Sequence, residues 1–92
     1  MANIRAHVFV EGHVQGVYFR SETRAAAQRC GVTGWVKNLS DGRVEALFEG
    51  KDEDVQAMLE WCKKGPPYAI VNQVEANEEP FTGEFRDFQI TY

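Results

Sequence analysis

Two periods alternate along the chain. Residues 4–11, IRAHVFVE, alternate strictly: Ile4, Ala6, Val8 and Val10 share one face, with Arg5, His7, Phe9 and Glu11 on the other. That pattern predicts a half-buried strand. Past the glycine-containing run GHVQGVYFR, residues 12–20, strong helix formers follow, and a helix is predicted from Ser21 or a neighbour to a glycine cap at Gly31. Residues 34–38, GWVKN, read as a short strand. Ser40-Asp41-Gly42 is turn chemistry, and residues 43–49, RVEALFE, alternate again with Val44, Ala46 and Phe48 on one face, so 34–49 is a hairpin. The period then changes. Val55, Met58, Leu59 and Cys62 stand at i, i+3, i+4 and i+7, one stripe of a helix over residues 51–64. Acidic residues 52–54 and Lys63–Lys64 match the helix dipole, and Gly65-Pro66-Pro67 ends the element. Residues 69–75, AIVNQVE, and the last segment 84–92, EFRDFQITY, are β-like.

Strand, helix, strand, strand, helix, strand is the order of a split βαβ repeat. The expected architecture is therefore α+β: a ferredoxin-like sandwich in one domain over residues 1–92. Two helices cover one face of a mostly antiparallel sheet, and the other face is partly wet. In that topology Cys30 and Cys62 fall at opposite ends of the helical layer, so no disulfide joins them.

Charge narrows the partners. Ten Lys and Arg against fourteen Asp and Glu leave a net charge of −4. Nucleic-acid binding rests on clustered positive charge, so that partner is not expected, and a basic membrane-surface role is disfavoured likewise. No stretch approaches the roughly 18–20 apolar residues of a membrane span. The N-terminus lacks the apolar region of a signal peptide, which makes the cytoplasm, with reduced thiols, the expected compartment. Two cysteines cannot form a four-thiolate zinc site, and residues 52–54 and 75–79 lack the DxDxDG spacing of a calcium loop. No metal and no cofactor is expected.

The chemistry concentrates in GHVQGVYFR. It follows a strand and precedes a helix, so its turn leaves backbone amides unpartnered at the positive end of a helix dipole. Arg20 adds a planar five-donor cation. A phosphate or carboxylate fits these features, although a tight loop with a surface arginine fits the same residues. It is neither a P-loop nor a dinucleotide fingerprint. The second strand runs parallel to the first, so Asn38 ends on the same sheet edge. There it is either a turn residue or a neutral group able to hold a water.

Gly12-His13-Val14-Gln15-Gly16-Val17-Tyr18-Phe19-Arg20 resembles the first signature of the acylphosphatase family, G-x-V-Q-G-V-x-[FY]-R. Gly34, Trp35, Lys37, Asn38, Gly42, Val44 and Gly50 resemble the second, and Gly65-Pro66-Pro67 with the ending Phe88-x-Ile90-x-Tyr92 extends the likeness over essentially the whole chain. Thr91 departs from the arginine often found there. The resemblance implies hydrolysis of acyl phosphates to carboxylate and inorganic phosphate. Arg20 would bind the phosphoryl group and Asn38 would position the attacking water. The backbone amides of Val14, Gln15, Gly16, Val17, Tyr18, Phe19 and Arg20 would cradle the phosphate oxygens. The implied partners are the small acyl phosphate and its product, and a monomer is the simplest expectation.

Other readings remain open. A non-catalytic module could hold a phosphate effector in the same loop. An RNA-recognition module shares the element order but needs a basic, aromatic sheet face, and RVEALFE offers acids there. His13 is expected to be exposed and His7 a surface residue. Lys37 is expected on the face opposite Asn38, attracting anionic substrate at long range. Trp35, Trp61 and Phe19 are expected to pack, while Tyr18 either packs or touches the acyl group.

Overall fold

The structure is a computed structural model that describes residues 2–92; Met1 lies outside the described residues. Its elements are β1 (Asn3–His13), α1 (Phe19–Cys30), β2 (Thr33–Asn38), β3 (Val44–Lys51), α2 (Asp52–Lys64), β4 (Ile70–Glu79) and β5 (Phe88–Ile90). The five strands form one sheet in the order β4-β1-β3-β2-β5. All neighbours are antiparallel except β2 and β5, which are parallel. This is the α+β, ferredoxin-like arrangement that the periodicities predict.

The core forms where the alternating faces meet the helical stripes. Ile4, Ala6, Val8, Val10, Val36, Val44, Ala46 and Phe48 from the sheet are buried with Phe19, Ala26 and Ala27 of α1 and Val55, Met58 and Cys62 of α2. Cys30 and Cys62 are free thiols, and burial pushes the Cys62 pKa up to about 12, so that thiol stays protonated and inert.

Three features depart from the pattern reading. First, β1 continues through Gly12 to His13, and its pairing with β4 shifts register between Glu11 and Gly12. A Cβ at Gly12 would lie 2.1 Å from the Ile70 carbonyl oxygen, so this glycine serves close backbone approach in a bulge at the base of the loop. Second, the last strand is three residues, not nine. The stretch before it, carrying Pro80 and Gly83, folds back over the sheet instead of pairing.

Third, the sheet face away from the helices is not simply wet. Glu49 is fully buried there, and Leu47 is 5% exposed. His7 is half-buried between two carboxylates, Nε2 at 2.6 Å from Glu45 and Nδ1 at 3.0 Å from Glu79, rather than a free surface residue. Both partners are acceptors, so the ring bonds both only as the imidazolium. Burial works against that charge, but the hydrogen bonds that the ring donates to Glu45 and Glu79, with the charges of those carboxylates, together outweigh it and raise the His7 pKa. The resulting stability is full below the unfolded pKa of about 6.5 and is lost as pH rises through the higher folded value. Urea midpoints should therefore fall between about pH 6 and pH 8 in the wild type, and a His7→Gln variant should lack that fall. Matching slopes in the two proteins would remove His7 as the cause.

Candidate active site

The loop between β1 and α1 is pinned from beneath. Val14, Val17 and Phe19 are 1%, 6% and 2% exposed, so their side chains belong to the core. Gln15 and Arg20 are half-buried between them, and Gly16 and Tyr18 are exposed. Anchoring every second or third side chain inward holds the loop backbone at the surface. Gly16 takes φ 74°, and Tyr18, the residue before α1, takes φ 65°, the one non-glycine with positive φ among the described residues. A tyrosine in that left-handed conformation costs on the order of 1–2 kcal/mol. Strain of this kind persists only where its surroundings over-determine it.

The helix start carries no side-chain cap. Among the described residues, no amide from Val14 to Arg20 donates a turn, loop or side-chain hydrogen bond. A run of free donors thus meets the positive end of the α1 dipole. Arg20 supplies the cation. It makes no ion pair among the described residues and lies with Cζ 5.4 Å from the centre of the Tyr92 ring. Gly16, Tyr18, Phe19, Arg20 and Ser21 line a cavity of about 190 Å³ whose far wall is Ile90 and Tyr92. A larger groove of about 720 Å³, between α1, Trp61 and Pro66, carries two acids, Glu22 and Glu60, against one cation, Lys64, a negative balance that disfavours a phosphate.

Asn38 ends β2 beside this loop. Its Oδ1 is buried and has no hydrogen-bond partner, the single such buried side-chain atom among the described residues. An orphaned acceptor of this kind costs about 1–3 kcal/mol unless something donates to it. The turn after it is built by Leu39 N–H donating to the Arg43 carbonyl (2.8 Å) and Gly42 N–H to the Leu39 carbonyl (3.2 Å). Asp41 caps the turn through the Arg43 amide at 3.0 Å. The Gln15 side chain reaches across from the loop and donates to both of those carbonyls, Leu39 at 2.7 Å and Arg43 at 2.9 Å. Loop and hairpin are thereby one unit.

A model of the acylphosphatase family matches residues 6–90. The chain belongs to the acylphosphatase family. The acylphosphatase of Syntrophus aciditrophicus is 56% identical over 88 residues, spanning 96% of this chain and 92% of the relative. That of Haloarcula marismortui is 61% identical over 79 residues, 86% of this chain and 87% of the relative. The crystal structure of acylphosphatase from Bacillus subtilis superposes with a TM-score of 0.93 at 36% identity, covering 97% of this chain and 99% of that one. Membership makes this chain a hydrolase with acylphosphatase activity.

Within this acylphosphatase site the outcomes for individual residues differ. Gly16, Tyr18, Phe19 and Arg20 meet in one cavity. Val14 and Val17 can contribute only their backbone, because their side chains are in the core. Tyr18 is 70% exposed on the cavity rim, not packed. Lys37 sits 3.6 Å from Glu45 and over the Trp35 ring, on the far face of the sheet, whereas Arg20 lines the cavity beside the loop. Two contributions escaped the sequence reading: the Gln15 side-chain bridge and the Tyr92 ring against Arg20. Thr91 holds its place through its backbone, N–H to the Val36 carbonyl at 2.8 Å, so the side-chain departure there leaves the contact intact. Among the described residues, no three His, Cys, Asp or Glu side chains gather as a metal site, and no helix is long and apolar enough to cross a membrane.

Proposed function

We propose that residues 14–20 cradle the phosphoryl group of an acyl phosphate on their backbone amides, that Arg20 binds its oxygens, and that Asn38 positions the attacking water. The water oxygen attacks phosphorus in line with the bond to the acyl oxygen, which leaves as a carboxylate. A carboxylate is stable at neutral pH, with a pKa near about 4, so the leaving group needs no acid. A loose phosphoryl-transfer transition state needs positioning and charge more than a base. The reading assigns those two things to free amides and a guanidinium for the charge, and to a neutral asparagine side chain for the water.

The observation that carries the reading is, among the described residues, the run of amides from Val14 to Arg20 that have no partner, met at the α1 start by an Arg20 that makes no ion pair. A water held by the Asn38 side-chain amide would stand next to the loop, because Leu39, the following residue, is bonded to Gln15. The product phosphate keeps one water proton, and the other leaves to solvent. The protein is proposed to act as one domain over residues 1–92, as a monomer, in the cytoplasm; its two free thiols fit a reducing compartment.

The test is a comparison of kcat/KM on acetyl phosphate, benzoyl phosphate and a simple alkyl phosphate ester. The two anhydrides should be turned over and the ester left untouched, because an alkoxide leaving group requires the acid this site lacks. Comparable rates on the ester would overturn the mechanism. Phosphate binding without turnover of any anhydride would favour a non-catalytic effector site.

A further inference from the structure

We infer that the Gln15 side chain is the positioning residue that sets the distance between the phosphate loop and the water-holding asparagine; this rests on the roles proposed for residues 14–20 and Asn38. Phosphoryl transfer needs two partners in register, and here they sit on separate elements: the phosphate cradle precedes α1, and Asn38 ends β2. Gln15 is the side chain that hydrogen-bonds from one to the other. Its amide donates one proton to the Leu39 carbonyl at 2.7 Å and one to the Arg43 carbonyl at 2.9 Å.

Those two carbonyls are not incidental. Leu39 follows Asn38, and both carbonyls already accept a bond that closes the hairpin turn, from Gly42 and Leu39 respectively. Gln15 fills the second acceptor site of each. The orientation of its amide is also determined, since the flipped form would set Oε1 against two carbonyl oxygens. The bridge is half-buried. Meanwhile the Gln15 backbone lies between the core-anchored Val14 and the left-handed Gly16. Loop shape is therefore fixed from below by Val14, Val17 and Phe19, independently of the bridge. The sheet sets the coarse spacing, since Asn38 pairs with Val44 and Val44 with Val10; what Gln15 adds is the fine placement of the Asn38 turn against the loop. Phosphate affinity should consequently survive loss of the bridge, while presentation of the water should not.

Gln15→Met keeps the length and removes both donors. A misplacement of about 1 Å between reacting groups costs on the order of 100-fold. Steady-state kinetics on benzoyl phosphate should show kcat falling by about that factor, with KM and the inhibition constant of inorganic phosphate changed less than about threefold. Gln15→Glu, which faces a carboxylate with two carbonyls, should lose more. The melting temperature is followed in parallel. In the Asn38→Ala background the Gln15→Met change should cost nothing further, because there is no longer a placed asparagine to misplace.

Additive losses in the double variant, or a loss of phosphate affinity matching the loss in kcat, would overturn the inference and make Gln15 a loop-folding residue only. Wild-type kcat in Gln15→Met would overturn it outright. All three outcomes leave the roles of Arg20 and Asn38 standing if Asn38→Ala is itself inactive. Wild-type kcat in Asn38→Ala removes the role of Asn38 and this inference together.

Discussion

Replacing Arg20 by alanine is expected to lower kcat on an acyl phosphate by about 100- to 1,000-fold, the loss typical of removing one preorganised donor from a developing charge. The fold should be unaffected. Arg20 makes no ion pair among the described residues, and its one close aromatic neighbour is Tyr92, which is 97% exposed. Arg20→Lys should recover only part of the loss, because a point charge cannot present the planar fork to two phosphate oxygens. Asn38→Ala should match the alanine loss in kcat but differ in stability. It deletes a buried oxygen that has no partner, so its melting temperature should equal or exceed that of the wild type. The pair of measurements separates a site residue from a structural one. Near-normal kcat in either alanine variant, or a large drop in melting temperature alongside lost activity, would sink the assignment for that residue.

Much of this was legible in the chain because period and punctuation agree. The i, i+2 runs at Ile4–Val10 and Val44–Phe48 and the i, i+3, i+4, i+7 stripe at Val55–Cys62 each return as the buried face. Gly31 and Gly65 close the two helices at φ 72° and 70°. Loop residues were legible for a different reason. Strand order puts the ends of β1 and β2 on one edge but leaves Asn38 open between a turn residue and a water holder; the likeness to the family signatures is what singles out Arg20 and Asn38. What could not be read is what depends on contacts distant in sequence. His7 looks like an outward strand residue until β3 and β4 bring Glu45 and Glu79 to its two nitrogens. The Gln15 bridge spans more than twenty residues, and no local pattern distinguishes a side chain that bonds a carbonyl from one that faces solvent. The final strand was overextended because aromatic and aliphatic residues at 85, 88 and 90 imitate alternation. The stretch ahead of Phe88 is instead held down by backbone hydrogen bonds to one side chain.

That side chain is Glu49, and its removal carries the largest expected loss of stability. Alternation in RVEALFE places it with Glu45 on the polar face, and by composition it looks solvated. Yet it is 0% exposed. Its Oε2 accepts from Arg5 Nε at 2.8 Å and the Thr82 amide at 3.0 Å, and Oε1 accepts from the Gly83 amide at 3.1 Å. One carboxylate therefore satisfies two backbone donors of the loop before β5 and the guanidinium of β1. Arg5 in turn bonds Glu84 at 2.7 Å, which with the Thr82 hydroxyl, the larger influence, lowers the Glu84 pKa. Glu49→Ala takes the acceptor from the Thr82 and Gly83 amides and from Arg5 Nε, while the Arg5 guanidinium keeps Glu84. Breaking a buried pair in this way costs about 3–5 kcal/mol. In a domain of this size that lowers the melting temperature by more than about 12 °C. Glu49→Gln, which keeps the shape and one acceptor, should lose less. The Arg5→Ala, Glu49→Ala double variant should lose less than the sum of the singles, because each single already removes the Arg5–Glu49 hydrogen bond that the two share. Chemical denaturation of the four proteins at pH 7 decides it. A loss below about 1 kcal/mol in Glu49→Ala would mean that water replaces the carboxylate at no cost, and the loop before β5 would then be held by something other than Glu49.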